Sequence, residues 1–212
     1  MLKNLLVTAL LFSTTIVIAQ KDFEKSLDSI QTLDDVTIFF KKNNTVKGKV
    51  IVFNEEKHKT RMAEDILNMG LGSKKYFKDA PQKTYYKVIE KNEIPYYRVS
   101  CVYIDGRKRS IKDVNIIRNQ VIAKYQDGYR FTDLAKQFSM DNTAKQGGDL
   151  GWFTNGDLHP EFERQVIEGD YRKDDIFKID IPDISAYYVV LITHDKRLIK
   201  ESKVLKVTEP RK

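Results

Sequence analysis

Few side chains in this chain are placed to do covalent chemistry. There is one cysteine, Cys101, and there are three histidines, His58, His159 and His194. A thiol nucleophile needs a base beside it, and a zinc site needs several N and S donors at close spacing. One cysteine and three scattered histidines satisfy neither pattern. Cys101 lies inside Val99-Ser100-Cys101-Val102-Tyr103, a setting in which cysteine behaves as an inert buried apolar group. The denser signal runs from Leu134 to Phe162, LAKQFSMDNTAKQGGDLGWFTNGDLHPEF. There, Leu158 stands just before a helix that Pro160 opens, and Phe162 falls in its first turn. Both side chains can therefore face one cavity, although ordinary core packing also explains them. Asp141, next to Asn142-Thr143, is either a turn-stabilising loop acid or a charge beside that cavity. Gly147, Gly148 and Gly151 suit backbone turns and close packing, and Asp149 suits a loop anchor.

The same run resembles the centre of parvulin-type peptidyl-prolyl cis/trans isomerases (rotamases). Phe131, Leu134, Ala135, Ser139, Asp141, Ala144, Gly147, Gly148, Asp149, Leu150, Gly151, Phe153, Gly156, Leu158, Pro160 and Phe162 fall at that family's fixed positions, in order and without gaps. A fainter likeness extends from about Tyr97 to Arg197. The resemblance implies a seat for a proline ring formed by Leu150, Leu158 and Phe162, with His159 at its mouth touching the substrate backbone. It implies that Asp141 lies beside the reacting amide. Rotation about an X–Pro bond faces a barrier of about 18–20 kcal/mol, and each ~1.4 kcal/mol of preferential binding to the twisted amide gives a tenfold rate gain. No metal, cofactor or covalent intermediate is required.

Two positions depart from the pattern. Parvulins usually carry a histidine in their first strand where Cys101 stands, and another in their last strand where Tyr188 stands. By resemblance, Cys101, Tyr188, Asp141 and the hydroxyl of Ser185 would share the central hydrogen-bond network. A Cys–Tyr pair fills similar volume and keeps one O–H donor, but it does not reproduce two imidazoles. Reduced isomerase activity is the expectation. The alternative is a catalytically weak or inactive module that binds clients as a chaperone, or docks in an envelope secretion or assembly complex. Arg107-Lys108-Arg109, where some parvulins read phosphate, is read here as a solvated turn.

The elements that must position these residues are legible in outline. Ser110 with Asp113 predicts a helix start, Val114, Ile117, Val121, Ile122 and Tyr125 its apolar face, and Gly128 its end. Helices are predicted at 131–138 and 160–168, and strands at 97–105, 151–153, 176–181 and 187–193. Upstream, the pattern predicts a short amphipathic helix at 20–33, strands at 36–40 and 47–53, a helix at 56–69 and a basic loop from Gly70 to Pro81. A hairpin of strands 84–90 and 96–105 is expected to turn at Lys91 to Pro95. The fold class is α+β: a C-terminal parvulin-like domain, a four-stranded antiparallel sheet wrapped by helices, preceded by a smaller α/β N-terminal region. The expected divisions are 1–19 leader, 20–92 N-terminal region for client or partner binding, 93–198 isomerase domain and 199–212 tail.

Lys3 followed by the apolar run Leu5 to Ile18, with Lys21-Asp22 beyond it, reads as a secretory signal peptide. The run is shorter than the roughly 20 residues of a membrane span, and no cysteine follows it to carry lipid. A periplasmic or secreted location is expected, with no integral membrane segment after leader removal. The 212-residue chain has a formal net charge of +7, spread along its length. Export argues against nucleic acid as the partner, so the basic balance suits a solvated surface that attracts acidic polypeptides or anionic headgroups. The expected partners are unfolded or exported polypeptides containing X–Pro bonds.

Overall fold

The computed structural model describes residues 23–79 and 82–209. The expected leader at 1–19 lies outside the described residues. Two compact units form. One ends at Glu93 and resumes at Ile199, and the other spans Ile94–Leu198. Two long strands, β3 (Gln82–Asp105) and β6 (Ala186–Thr208), each take part in both units.

In the 94–198 unit, β3 is flanked by β4 (Asp149–Phe153) and β6 by β5 (Ile176–Ile181), both antiparallel. β3 and β6 are neighbours. Bonds from Gly106 N to Ser185 O (2.8 Å) and from Thr193 Oγ1 to Arg98 O (3.0 Å) set them antiparallel as well. The four strands have a different apolar cluster on each face. One joins Val102, Ile104, Val189 and Leu191 to two helices, α3 (Ile111–Gln126) through Val114 and Val121, and α4 (Phe131–Phe138) through Phe131, Leu134 and Ala135. The other joins Val99, Cys101, Val190 and Ile192 to Phe162 and Val166 of α5 (Pro160–Glu168). This sheet with helices on its faces is the expected α+β parvulin-like arrangement.

Local chemistry sets these boundaries. Ser110 accepts the Asp113 N–H at 3.1 Å and starts α3, a cap worth about 1 kcal/mol. Gly128, at φ +91°, follows the helix end in the left-handed region. Pro160 occupies the first turn of α5, where its missing N–H costs nothing.

The other unit holds β1 (Lys47–Asn54), the last part of β6, the first part of β3 and β2 (Lys74–Asp79), in the order β1-β6-β3-β2. Helix α1 (Leu33–Lys42) contributes Val36 and Phe39 to a cluster with Leu27, Ile30, Tyr85, Leu205 and Val207. Helix α2 (Arg61–Leu67) contributes Ala63, Ile66 and Leu67 to a cluster with Phe53, Tyr86, Val88 and Val204.

Four expectations are corrected here. Residues 36–40 are helix rather than strand, because Thr32 and Asp35 form a reciprocal capping box and Val36, Phe39 and Phe40 fall on one helical face. Lys74–Asp79 is a strand rather than loop, paired with Lys87 back to Gln82. Lys91 to Pro95 does not turn, and β3 runs through it unbroken with Pro95 at an exposed position. Residues 199–208 are not a tail. They are strand, paired with β1 from Asn54↔Glu201 to Lys47↔Thr208, with Ile199, Val204, Leu205 and Val207 fully buried.

Candidate functional site

The candidate site forms where β3, β4, β6, α5 and the loop after α4 meet within the 94–198 unit. The loop is fixed first. Ser139 Oγ accepts the Tyr103 N–H (2.9 Å), and the Met140 N–H donates to Tyr103 O (2.8 Å), fastening the loop to β3. The Gly148 N–H then donates to Thr143 O, and the Cys101 N–H to Gly148 O, both at 2.9 Å. Gly148 has φ +79°, and a Cβ there would collide with the Cys101 carbonyl. Only glycine allows the loop to lie this close to β3.

Asp141 sits in this loop, half-buried. Its carboxylate accepts from Ser139 Oγ at 2.9 Å and from Thr143 Oγ1, which is 2.9 Å from both oxygens. Cys101 is 1% exposed. Burial pushes its thiol up to about 12, with a further push from the Asp141 carboxylate and a small opposing effect from a hydrogen bond with Thr143. At neutral pH the thiol is therefore un-ionised, which excludes it as a nucleophile. Tyr188 is also pushed up to about 12, first by burial and then by the nearby Cys101, Tyr103 and Asp141. Its phenol stays protonated and keeps its O–H as a donor.

The apolar side of the site is aromatic. Phe162 is 3% exposed. Its ring meets Tyr188 edge to face at 5.1 Å and Phe153 at 6.4 Å, and Tyr188 lies 5.3 Å from Tyr103. Leu150 and Leu158 are half-buried against the same cluster. The structure thus brings Asp141, Cys101, Tyr188, Leu150, Leu158 and Phe162 together.

Two expected residues are placed differently. Ser185 turns the chain into β6 at φ +54°, and its backbone is used by Gly106 and Pro182. The hydroxyls on the Asp141 carboxylate belong instead to Ser139 and Thr143. His159 is exposed and caps α5, its Nδ1 accepting the Glu161 N–H at 3.3 Å.

Sequence reasoning missed Glu163. It is 1% exposed, and its carboxylate accepts the N–H groups of Gly156 (2.8 Å) and Leu158 (2.5 Å). It therefore fixes the loop that carries Leu158. The signal was available: an acid one residue after Phe162, on the first turn of a helix that follows a Gly-containing loop. Asp149 is held by Arg98 through two bonds, 3.1 and 2.5 Å, and caps the Gly151 N–H. Arg98 keeps this carboxyl below its usual range, which identifies Asp149 as an anchor. Among the described residues no group of His, Cys, Asp and Glu side chains is arranged to hold a metal.

This constellation gathers aliphatic and aromatic side chains, a hydroxyl-held carboxylate and a protonated phenol in one unit. Residues 85–195, a little over half of the chain, match the family model of the PPIC-type PPIase domain. The chain belongs to the PPIC-type PPIase family. Within curated proteins it is similar to the chaperone SurA of Chromobacterium violaceum, 45% identical over 49 residues, which is 23% of this chain and 11% of that protein. It is also similar to the peptidyl-prolyl cis-trans isomerase PIN4 of Gibberella zeae, 46% identical over 46 residues, 22% of this chain and 34% of that protein. The chain thus spans only 11% and 34% of the length of these two relatives. Among solved structures, a crystal structure of a PpiC-type peptidyl-prolyl cis-trans isomerase domain aligns over 50% of this chain and 94% of that one, with 21% identity and a TM-score of 0.43.

Proposed function

We propose that this chain is a peptidyl-prolyl cis/trans isomerase that acts as a folding factor for exported polypeptides, with its isomerase domain at residues 93–198. The supporting observation is the Asp141 carboxylate, held by two hydroxyls beside the aromatic and aliphatic group Leu150, Leu158, Phe162 and Tyr188. A planar amide places partial negative charge on its oxygen and partial positive charge on nitrogen. A fixed carboxylate near that oxygen disfavours the planar form, and an apolar surround favours the twisted amide, which has lost the resonance. Leu150 and Leu158 would cover the proline ring, with Phe162 as its floor. The Tyr188 O–H would donate to a substrate carbonyl. Cys101 and Tyr188 stand where the family usually has histidines, so turnover is expected to be slower than with an imidazole pair. The leader-like segment at 1–19 supports a periplasmic or secreted location, and among the described residues no helix is long and apolar enough to cross a membrane.

A second reading, a client-binding module without turnover that could serve an envelope secretion or assembly complex, is favoured by one observation. Phe162 is only 3% exposed, with the Tyr188 and Phe153 rings against it. A protease-coupled assay on an Ala-Xaa-Pro-Phe peptide panel separates the two. The isomerase reading expects turnover that falls in Asp141→Asn. The module reading expects uncatalysed rates with binding of an unfolded client retained.

A further inference from the structure

In the unit completed by residues 199–209, β1 (Lys47–Asn54) is the first strand in the order and pairs with β6 alone. Among the described residues no strand pairs with its other side. Open edges expose backbone N–H and C=O groups, and natural proteins usually blunt them with charge, proline, a bulge or short length. β1 has eight residues in unbroken register, with no proline. Its second half, Val50 to Phe53, carries no charge, and Val50 and Val52 are 36% and 44% exposed.

The start of the strand is different. Lys47 and Lys49 are exposed, and Lys206 lies directly opposite Lys49. Lys41 and Lys42 end α1, whose Phe40 ring packs over Gly48 of β1. None of these five lysines makes an ion pair among the described residues, whereas Lys75 and Lys203 nearby are paired to Asp65 and Glu90. Lys206 reaches only the Tyr86 ring, 5.7 Å from its centre.

We propose that the open edge of β1 accepts an acidic, extended polypeptide segment as an added strand. Peptide backbone would pair with β1, apolar side chains of the segment would cover Val50 and Val52, and its carboxylates, on the alternate face, would meet Lys47, Lys49 and Lys206. A second copy of the chain fits less well. Antiparallel β1–β1 pairing would set the lysine end of each strand against the uncharged end of the other, leave the lysines unneutralised and join two chains of net charge +7. An anionic membrane would satisfy the lysines but not the backbone groups. The proposal does not rest on X–Pro turnover, and its test reads binding alone.

The test is fluorescence anisotropy of the full chain with an eight-residue peptide, matched to β1 in length, that alternates Glu and Val. Binding is expected to weaken about tenfold, equivalent to ~1.4 kcal/mol, in the exposed pair variant Lys47→Glu/Lys49→Glu, and also when alternate peptide nitrogens are N-methylated. It should weaken steeply with salt. Circular dichroism and Tm of the variant check that it folds, and Lys206→Glu, on β6 opposite Lys49, provides a second reduction that leaves β1 untouched. Three results would overturn the proposal: equal binding by the N-methylated peptide, sedimentation as a dimer that excludes the peptide, or binding to vesicles of phosphatidylglycerol without binding to the peptide.

Discussion

The rings of Phe162 and Tyr188 meet edge to face, centroids 5.1 Å apart and planes at 71°. That contact ties the first turn of α5 to the strand β6 across the candidate site. It continues through Tyr103 on one side and Phe153 on the other, so the apolar floor of the site is also part of the core of its unit.

Truncating Phe162 should therefore be felt as strongly in stability as in activity. Phe162→Ala is expected to cost about 3–5 kcal/mol in urea unfolding, as for other buried aromatics. Tyr188→Phe keeps the ring contact and loses only the hydroxyl, so it should unfold within about 1 kcal/mol of the parent while turnover falls. Equal activity in Tyr188→Phe would remove the phenol from the mechanism.

Stability should decline at alkaline pH. The Cys101 thiol has an ordinary value of 9.0 and the Tyr188 phenol 10.0, and each is pushed up to about 12 in the folded chain. Between those values the unfolded state loses protons that the folded state retains. Folding is thus full strength below about pH 9 and weakens as pH rises towards 12. Urea midpoints measured across that range should fall, and Cys101→Ala should flatten the lower part of the decline. A midpoint constant from pH 9 to 12 would contradict the burial assigned to both groups.

Thr143 should act as a positioning residue. Its hydroxyl reaches both carboxylate oxygens of Asp141. Thr143→Ala is expected to lower kcat several-fold with KM little changed and a stability loss of about 1 kcal/mol, and Thr143→Ser should restore kcat. Failure of serine to rescue would mean that the methyl group, not the hydroxyl, matters.

Gly148 is the tightest point of the loop that presents Asp141. Gly148→Ala combines a positive φ with a collision against the Cys101 carbonyl, so a loss of more than about 1 kcal/mol is expected. Exchange of the Cys101 amide hydrogen, bonded to Gly148 O, should accelerate. Unchanged protection at that amide would show that the loop is anchored elsewhere.

Much of the 94–198 unit was legible in the sequence. The helix after Ser110, the helix at 160–168 and the strand at 176–181 follow from a cap, proline placement and alternation close to each segment. Elements that depend on distant partners were not legible. The run Val36 to Phe40 has β-branched and aromatic composition, and a stretch that short cannot reveal its period. Its fate is decided by the Thr32–Asp35 cap and by Tyr85 and Leu205 far along the chain. Residues 199–208 bury Val204 and Leu205 in succession, on opposite faces of the strand, and their partner β1 lies about 150 residues earlier. Pro95 suggested a turn, yet a proline is tolerated where a strand is locally an edge, and Pro95 lies between the stretches of β3 that pair with β2 and β4. In the candidate site, the motif pointed to Asp141 and to the apolar group, which the fold gathers in one unit. It did not reveal that Ser139 and Thr143, rather than Ser185, hold the carboxylate, because that follows from how the loop folds back onto β3. His159 illustrates the same limit, since beside Pro160 its ring is taken by the helix N-terminus.

The most direct test of the central claim is NMR exchange spectroscopy on an Ala-Xaa-Pro-Phe peptide with catalytic amounts of the full chain. The account predicts cis/trans exchange cross-peaks at mixing times far shorter than the tens of seconds of the unaided bond, growing with protein concentration and reduced at least about tenfold by Asp141→Asn. Exchange at the unaided rate from a chain shown to be folded would contradict it.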